Sequence, residues 1–260
     1  MELTKEYNIV KIDGENKTEV EDIVVLEYSL TISIDDEEVI TLLCSPKSLR
    51  YLAIGFLYSE GFIRSYSEID SIQIDEEWGK AYIRLKVKGI SGEKLQRKKT
   101  ITSGGGKGTV LYNMSDLLKS GKTTNPPDIS VYEIKKLMAK FGRSSDLFHA
   151  TGGVHACAIC DNNDIIYFEE DIGRHNALDK VSGRALIENM DLKDKMILTS
   201  GRISSEMLMK AVKMGITVVV SRSAPTSSAV HMAKELNVVL IGFARGEKMN
   251  IYSNFSSLGF

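Results

Sequence analysis

The sequence predicts an α/β protein whose C-terminal half forms a three-layer domain, with a largely parallel sheet between two layers of helices. From residue 130 onward, wholly apolar segments such as ITVVVS and VVLIGFA alternate with segments of helical periodicity such as SSEMLMKAVKMG. Parallel strands are buried on both faces and therefore read as continuous apolar runs, and their alternation with helices is typical of an α/β fold. We expect this domain to span residues 128–260.

The N-terminal half predicts a smaller α+β domain over residues 1–127. The segments IVVLEYSLTISI and EVITLLC are rich in β-branched residues and flank Asp35 and Asp36, which indicates a hairpin. Apolar residues at helical spacing in SLRYLAIGFLYSEGF predict a helix that is capped by Ser48 and ends at Gly61. Two more short strands are expected in SIQIDEEWGKAYIRLKVKG. The turn-rich SGKTTNPPD then predicts the boundary between the domains.

Each element of the C-terminal half has its own signal. Ser130 and Glu133 predict a capping box at the start of the amphipathic segment SVYEIKKLMAKF. The segments VHACAIC and DIIYFEE predict two short strands, and HNALDKVSGRALIENM predicts the helix that follows them. MILTS, ITVVVS and VVLIGFA predict three further strands, separated by helices in SSEMLMKAVKMG and TSSAVHMAKELN. This order of elements is that of a sheet with helical connections.

Composition and charge argue against several classes of protein. The chain carries 33 Lys and Arg against 35 Asp and Glu, so we expect neither nucleic acid nor an anionic membrane as a partner. The N-terminus lacks the apolar region of a secretory signal, and no apolar run is long enough for a membrane span. The three cysteines, an odd number, favour free thiols over a disulfide framework. These observations predict a cytoplasmic protein.

Positive charges follow three successive strands of the predicted sheet. Arg202 lies in TSGR, Arg222 in SRSAPTSS and Arg245 in GFARGEK, each directly after a predicted strand. Ligands of such sheets bind beyond the carboxyl ends of the strands, and the helices that follow the first two strands begin with free N–H groups that favour anions. We therefore expect the three arginines to converge on an anion or nucleotide site, against the simpler interpretation of three unrelated surface arginines.

Several segments together carry a resemblance to a known family. TGGVHACAICD, EEDIGRHNALDKVSGRAL, LTSGRISSEMLMKA, SRSAPTSSAV and GFARGEKMNIY, in this order, resemble the formate dehydrogenase accessory sulfurtransferases, FdhD/NarQ. The resemblance implies a cytoplasmic protein that takes sulfur from a cysteine desulfurase and passes it to the molybdenum or tungsten bis-guanine-dinucleotide cofactor of formate dehydrogenase. It also implies a C-terminal domain similar to cytidine deaminases and a homodimer.

The glycine-rich segment TSGGGKGT, residues 102–109, departs from the family pattern. The resemblance implies a persulfide cysteine near Gly105 and a second cysteine near Gly108, and both positions are glycine. Glycine has no sulfur, so the thiolate chemistry of a sulfur carrier cannot take place in this loop. The segment also lacks the phosphate-loop pattern, because Lys107 is followed by glycine. Two interpretations stay open: a flexible segment whose amides and Lys107 contact an anion, or a loop without a ligand.

The remaining cysteines are expected to be structural. Cys157 and Cys160 lie three residues apart in a predicted strand, where their side chains point to opposite faces. Cys44 ends another strand and is also expected to pack in the interior. His155 with these two cysteines is a conceivable but incomplete zinc ligand set. The zinc motifs of deaminases are missing, since RHNAL lacks a glutamate and SGRIS lacks a cysteine, so we expect no zinc.

His175 begins a predicted helix in DIGRHNALDK and has two possible roles. It could bind a phosphate or pterin, or donate a proton. Alternatively it is a capping or salt-linked structural histidine. The family resemblance favours the functional role.

By resemblance, the cofactor-binding segment is FARGEK. The ring of Phe243 could flank a base or pterin, and Arg245 with Lys248 could neutralise phosphates. The segment also contains Ala244, Gly246 and Glu247, and we add Arg202, Thr226 and Ser227 as further cofactor-binding candidates. A GDP-like nucleotide is expected to mimic the cofactor.

Two functions stay open at this point. In the first, the protein is a sulfurtransferase that holds sulfur on Cys44, Cys157 or Cys160, or delivers it without a covalent intermediate. In the second, it is a cofactor-binding chaperone that has lost sulfur transfer. The missing loop cysteines favour the second function, while the otherwise intact motifs favour a retained cofactor site.

Overall fold

The computed structural model describes residues 1–87, 100, 101, 107, 108 and 126–258. Gly105, the predicted position of the persulfide cysteine, lies outside the described residues. Among the helices of the described part, none combines the length and the apolar character of a membrane span.

Within residues 1–87, 100, 101, 107 and 108, the N-terminal half has one α-helix and two larger groups of strands. Its elements are β1 (Thr4–Asp13), β2 (Asn16–Val25), β3 (Tyr28–Ile34), β4 (Glu37–Cys44), α1 (Leu49–Ser59), β5 (Ile69–Asp75), β6 (Lys80–Leu85), β7 (Thr100–Ile101) and β8 (Lys107–Gly108). Strands β1 and β2 form a long hairpin that the sequence pattern did not predict. The β3–β4 hairpin and the β5–β6 pair are confirmed, and they form a four-stranded sheet in the order β4-β3-β6-β5. The segment IVVLEYSLTISI is not one strand as predicted, because its first residues belong to β2, which ends at Val25, and β3 begins only at Tyr28.

Helix α1 covers one face of this four-stranded sheet. Its apolar side chains pack with those of β3 and β6 in a core that includes Leu30, Ile32, Leu52 and Leu57. The helix is predicted correctly, but its N-terminal cap is not. Ser48 precedes the helix with φ 56° and makes no side-chain capping bond, because the left-handed backbone at this residue differs from the extended geometry of a capping serine.

The C-terminal half alternates strands and helices. Its elements are α2 (Val131–Arg143), α3 (Asp146–Thr151), β9 (His155–Cys160), β10 (Ile165–Asp171), α4 (Arg174–Ile187), β11 (Met196–Thr199), α5 (Ser205–Lys213), β12 (Val218–Ser221), α6 (Ser227–Glu235), β13 (Val239–Arg245) and β14 (Lys248–Ser253). The capping box of Ser130 and Glu133 at the start of α2 is confirmed. The short helix α3 and the last strand β14 were not predicted.

The six strands of this half form a mixed sheet in the order β10-β9-β11-β12-β13-β14. Only β11 with β12 and β12 with β13 pair in parallel, so the expectation of a largely parallel sheet is wrong. The pairs β9–β10 and β13–β14 are joined by short turns, which permit only antiparallel pairing.

Helices cover both faces of the six-stranded sheet, as predicted. Helix α2 packs on one face, through residues such as Leu137 and Phe141. Helices α4, α5 and α6 pack on the other face, through residues such as Val181, Leu208 and Ala233. The result is a three-layer arrangement, while its likeness to cytidine deaminases stays a prediction.

Helices α1 and α4 join the two halves of the protein. A Cβ atom on Gly55 would lie 1.8 Å from the carbonyl oxygen of Asp179, and one on Gly183 would lie 2.0 Å from that of Tyr51. The two backbones are therefore in direct contact, which only glycine permits. The division into domains 1–127 and 128–260 stays a prediction.

Candidate functional site

An open cleft of about 380 Å³ lies at the edge of the six-stranded sheet where β11, β12 and β13 end. The first residue of the antiparallel β9 reaches the same edge. The residues that line the cleft are Phe148, Gly152, Gly153, Val154, His155, Ile172, Ser200, Arg222 and Arg245. The position agrees with the rule that ligands of α/β sheets bind beyond the carboxyl ends of the parallel strands.

Two of the three strand-end arginines meet in this cleft. Arg222 follows β12 and Arg245 ends β13. The Nε atom of Arg245 donates a hydrogen bond of 2.8 Å to the carbonyl oxygen of Arg222, and the backbone N–H of Arg222 donates to the carbonyl oxygen of Thr199 at 3.0 Å. The register of the parallel strands thus brings together two side chains that are 23 residues apart.

Arg202 lies next to this cleft without lining it. Its side chain is exposed, and its positive charge is among the causes that lower the pKa of both His155 and Arg174. Arg202 therefore contributes positive potential to this edge of the sheet.

The backbone at Phe243 is strained. This residue has φ 52° and a side chain that is 45% exposed, although bulky residues rarely adopt the left-handed region. It lies in an irregular stretch of the β13–β14 pair, and its N–H donates to the carbonyl oxygen of Ser223 at 3.1 Å. Strain of this kind is often found at functional sites.

The other predicted cofactor residues lie outside the cleft lining. Ala244 is buried, and Gly246 with φ 53° forms the turn to β14. Glu247 pairs with Lys135 at 2.7 Å, while Lys248 is exposed. Thr226 caps α6, where its hydroxyl accepts a hydrogen bond from the N–H of Ala229, and Ser227 is the exposed first residue of that helix. Exposure leaves Lys248 and Ser227 accessible to a ligand that extends beyond the cleft.

His155 and Ser200 also line the cleft and contact each other. The Nδ1 atom of His155 lies 3.3 Å from Oγ of Ser200. Burial, followed by the charges of Arg174 and Arg202, lowers the pKa of His155, so its imidazole is neutral at physiological pH. The sequence pattern suggested only a zinc-ligand role for His155 and gave no signal for Ser200, because neither belongs to a recognisable short motif of nucleotide sites.

His175 lies deeper in the protein. Its Nε2 atom is 3.4 Å from Oε2 of Glu206 but has no hydrogen-bond partner among the residues that the structure describes. Burial and then the charges of Lys210 and Arg174 lower the pKa of His175 to about 3. His175 does not line the cleft, and its role as a phosphate or pterin ligand or as a proton donor stays a prediction.

Buried ion pairs lie behind the cleft edge. Asp171 pairs with Lys180 at 2.7 Å, and Asp179 pairs with Lys210 at 2.7 Å. Oδ2 of Asp171 also accepts a hydrogen bond from the backbone N–H of Ser45 at 3.0 Å. The end of β10 is thereby connected to the N-terminal half.

All three cysteines are free and buried, as predicted. Burial raises the pKa of Cys44 and of Cys157 to about 12, and it also raises that of Cys160. Cys157 packs in the core beneath α4 to α6, and Cys160 packs in the core beneath α2. The two thiols thus lie on opposite faces of the sheet, and within the described part no group of His, Cys, Asp or Glu side chains is arranged to hold a metal ion.

The described part of the glycine-rich segment is short. Gly108 lies in β8, opposite Thr100 of β7. Gly105, three residues earlier, is outside the described residues, so the two interpretations of this segment both stay predictions.

Comparison with known proteins places the chain among close relatives. Residues 25–258 match the model of the FdhD/NarQ family. The chain is 43% identical over 262 residues to the sulfur carrier protein FdhD of Bacillus licheniformis, with 99% of this chain and 98% of the relative covered. It is 42% identical over 260 residues to the protein of the same name in Listeria innocua, with 99% and 100% covered.

A solved structure has the same fold. The crystal structure of a protein from Desulfotalea psychrophila, described as a formate dehydrogenase accessory protein, matches with a TM-score of 0.77 and 24% sequence identity. The match covers 99% of this chain and 100% of that chain.

Proposed function

The chain belongs to the FdhD/NarQ family, and we propose that it is a formate dehydrogenase accessory protein that binds the molybdenum or tungsten bis-guanine-dinucleotide cofactor as its cargo. The observation that carries the binding proposal is the meeting of Arg222 and Arg245 in one cleft at the ends of parallel strands. Guanidinium groups bind phosphate oxygens through paired, charge-assisted hydrogen bonds. The pyrophosphate of a guanine nucleotide is therefore the part of the cargo that we assign to this cleft.

The size of the cleft supports binding of one nucleotide rather than the whole cargo. Its volume of about 380 Å³ lies near the lower end of the range of small-molecule sites, about 300–1,000 Å³. The rest of the cargo would lie outside the cleft, along the exposed turn between β13 and β14. Phe243 with its exposed ring and Lys248 with its exposed amine are available there.

Sulfur delivery is the second part of the proposal. Its support is that relatives matching the whole chain are named sulfur carrier proteins. With glycine at positions 105 and 108, a covalent carrier step would need Cys44, Cys157 or Cys160. Because all three are buried, such a step requires that one of them becomes exposed, for example when a cysteine desulfurase binds.

One observation bears on the alternative of a cofactor-binding protein without sulfur transfer. The nucleophile in sulfur exchange is a thiolate, and burial raises the pKa of each of the three thiols. Both functions use the same cargo site. A cysteine desulfurase, formate dehydrogenase and a second copy of this chain are the proposed partners, in the cytoplasm.

Calorimetric titration with guanosine diphosphate tests the cargo site. Arg245→Ala is expected to weaken binding about tenfold to a hundredfold, since a hydrogen bond to a charged group contributes about 1.5–3 kcal/mol. Arg64→Ala is the matched control, because Arg64 is an exposed arginine of the N-terminal half. Equal affinities of the two variants would remove Arg245 from the site, and absence of binding by the unsubstituted protein would contradict the proposed cargo.

A further inference from the structure

We propose that His155 is a neutral hydrogen-bond donor to the nucleotide phosphate in the cleft, and that Ser200 is the positioning residue that selects its tautomer. The inference rests on the proposed function and adds to it an uncharged contact for the phosphate, which the two arginines do not supply. The cleft would then have a second kind of group that contacts the anion, formed by one residue of β9 and one residue of the loop after β11.

Hydrogen bonds of the backbone fix the position of Ser200. Its N–H donates to the carbonyl oxygen of Ala156 at 3.0 Å, and its Oγ accepts from the N–H of Ala156 at 2.9 Å. The side chain of Ser200 is therefore held against the first residues of β9. Oγ then lies 3.3 Å from Nδ1 of the neighbouring His155.

The proposal assigns one tautomer to His155. One lone pair of the Ser200 hydroxyl is used by the N–H of Ala156, and a serine hydroxyl has one hydrogen to donate. Nδ1 of His155 lies 3.3 Å from this hydroxyl, within reach of its hydrogen, and the proposal assigns Nδ1 the role of acceptor. When Nδ1 accepts, a neutral imidazole carries its hydrogen on Nε2. That N–H has no partner among the described residues and is free to donate to a ligand.

The surrounding charges keep the imidazole neutral. Burial, and then the charges of Arg174 at the start of α4 and Arg202 after β11, lower the pKa of His155. Asp171 at the end of β10 acts in the opposite direction, but it pairs with the buried Lys180 at 2.7 Å. Arg222 and Arg245 line the same cleft. The arginines therefore supply the charge that attracts a phosphate. His155 supplies a directional hydrogen-bond donor and does so as a neutral imidazole.

Two substitutions of His155 separate its two nitrogen atoms. The amide nitrogen of glutamine can occupy the place of Nε2, whereas that of asparagine reaches only the place of Nδ1. We expect His155→Gln to retain guanosine diphosphate affinity within about threefold, and His155→Asn to lose about tenfold to a hundredfold, the equivalent of one hydrogen bond to a charged group. His231→Gln, in an exposed position on α6, is the matched control and should bind like the unsubstituted protein.

NMR of the two imidazole nitrogens of His155 tests the role of Ser200, because it shows which nitrogen carries the hydrogen. In the unsubstituted protein the imidazole of His155 is expected in the neutral form with hydrogen on Nε2. Ser200→Ala should produce a mixture of tautomers and weaken binding of guanosine diphosphate by about threefold to tenfold. Ser200→Thr keeps the hydroxyl and should keep both the single tautomer and the affinity of the unsubstituted protein. Ser223→Ala, after the next strand, is the control. A merely structural serine would change the melting temperature without changing the tautomer.

The possible outcomes separate this inference from the function on which it rests. If the unsubstituted protein fails to bind guanosine diphosphate, the proposed cargo site is wrong. If it binds and Arg245→Ala weakens binding, but His155→Asn binds as well as His155→Gln, the role of His155 is wrong and the cargo site stands. Hydrogen on Nδ1 of His155, or an unchanged tautomer in Ser200→Ala, would overturn the role of Ser200.

Discussion

Asp171 and Lys180 form an ion pair with 2.7 Å between Oδ2 and Nζ, and neither side chain is exposed to solvent. The ammonium group of Lys180 also donates to Oγ of Ser45 at 2.9 Å and to the carbonyl oxygen of Glu170 at 3.0 Å. Oδ1 of Asp171 accepts from the N–H of Gly173 and from Nδ2 of Asn176, each at 2.9 Å. One buried pair thus connects the loop after β4 with the end of β10 and the start of α4.

Replacing Lys180 by methionine should destabilise the protein strongly. The substitution leaves the carboxylate of Asp171 buried without its counter-charge, which costs about 3–5 kcal/mol. Urea unfolding measures the loss. Lys140→Met is the control, because Lys140 pairs with Asp164 at an exposed position, where a pair contributes about 0–1 kcal/mol. Equal losses in the two variants would show that the buried pair has no special role in stability.

Adding a methyl group at Gly183 should disrupt the contact between α1 and α4. The new Cβ atom would lie 2.0 Å from the carbonyl oxygen of Tyr51, so the helices must separate, at a cost of about 1–3 kcal/mol or more. At Gly142 in α2 the nearest atom to a new Cβ is Nη1 of Arg222, at 3.5 Å. Gly142→Ala should therefore leave the stability unchanged or raise it by up to about 1 kcal/mol. Thermal and urea unfolding measure the stability of both variants. A Gly183→Ala variant as stable as the unsubstituted protein would contradict the close contact.

The cysteines of the folded protein should react slowly with thiol reagents. At pH 8 a thiol whose pKa is raised to about 12, as in Cys44 and Cys157, is almost entirely protonated, and burial blocks access. A disulfide reagent should detect all three thiols in denaturant and close to none without it. Rapid reaction of one cysteine in the folded protein would identify an accessible thiol and contradict the burial.

Sulfur loading decides between the two proposed functions. Intact-mass spectrometry after incubation with a cysteine desulfurase and cysteine, followed by peptide mapping, detects a persulfide on a defined residue. Without exposure of a thiol by the desulfurase, the burial of Cys44, Cys157 and Cys160 predicts no added sulfur. A gain of one sulfur on one of them would show that the carrier step has a new position in this chain. Single Cys→Ala variants then identify the residue.

His175 should make the stability depend on pH. Its pKa is lowered from 6.5 to about 3 by burial, with smaller effects of Lys210 and Arg174. Below pH 6.5 the imidazole of the unfolded chain binds a proton, whereas that of the folded chain binds one only near pH 3. The free energy of unfolding therefore falls as the pH decreases through this interval. Relative to His175→Gln, the unsubstituted protein should lose up to about 1.4 kcal/mol per pH unit below 6.5.

Unfolding of both proteins in urea between pH 7.5 and 5 measures this difference. The lowered pKa of His155 acts in the same direction and the raised pKa of Glu206 in the opposite one, but both groups are present in both proteins. Parallel pH profiles would mean that His175 is not held neutral by the fold. Titration of its ring near pH 6.5 by NMR would lead to the same conclusion.

Most local elements of the C-terminal half were predictable from the sequence alone, with the exceptions of α3 and β14. Helix α2 has its capping box, and the apolar runs of β12 and β13 have the continuous pattern of buried strands. The placement of Cys157 and Cys160 on opposite faces followed from the two-residue period of a strand. The family was also recognisable from the sequence, because its motifs occur in the expected order, and the family model matches residues 25–258.

The tertiary structure decided which side chains share the cleft and which charges are buried. Arg222 and Arg245 meet because β12 and β13 are parallel neighbours, and His155 joins them because β9 enters the sheet from the opposite direction. The pairing of Asp171 with Lys180 and the neutral state of His175 depend on helices that pack from distant parts of the chain. Sequence patterns report periodicity and local propensity, whereas strand order, burial and the electrostatic environment arise only when separate segments come into contact.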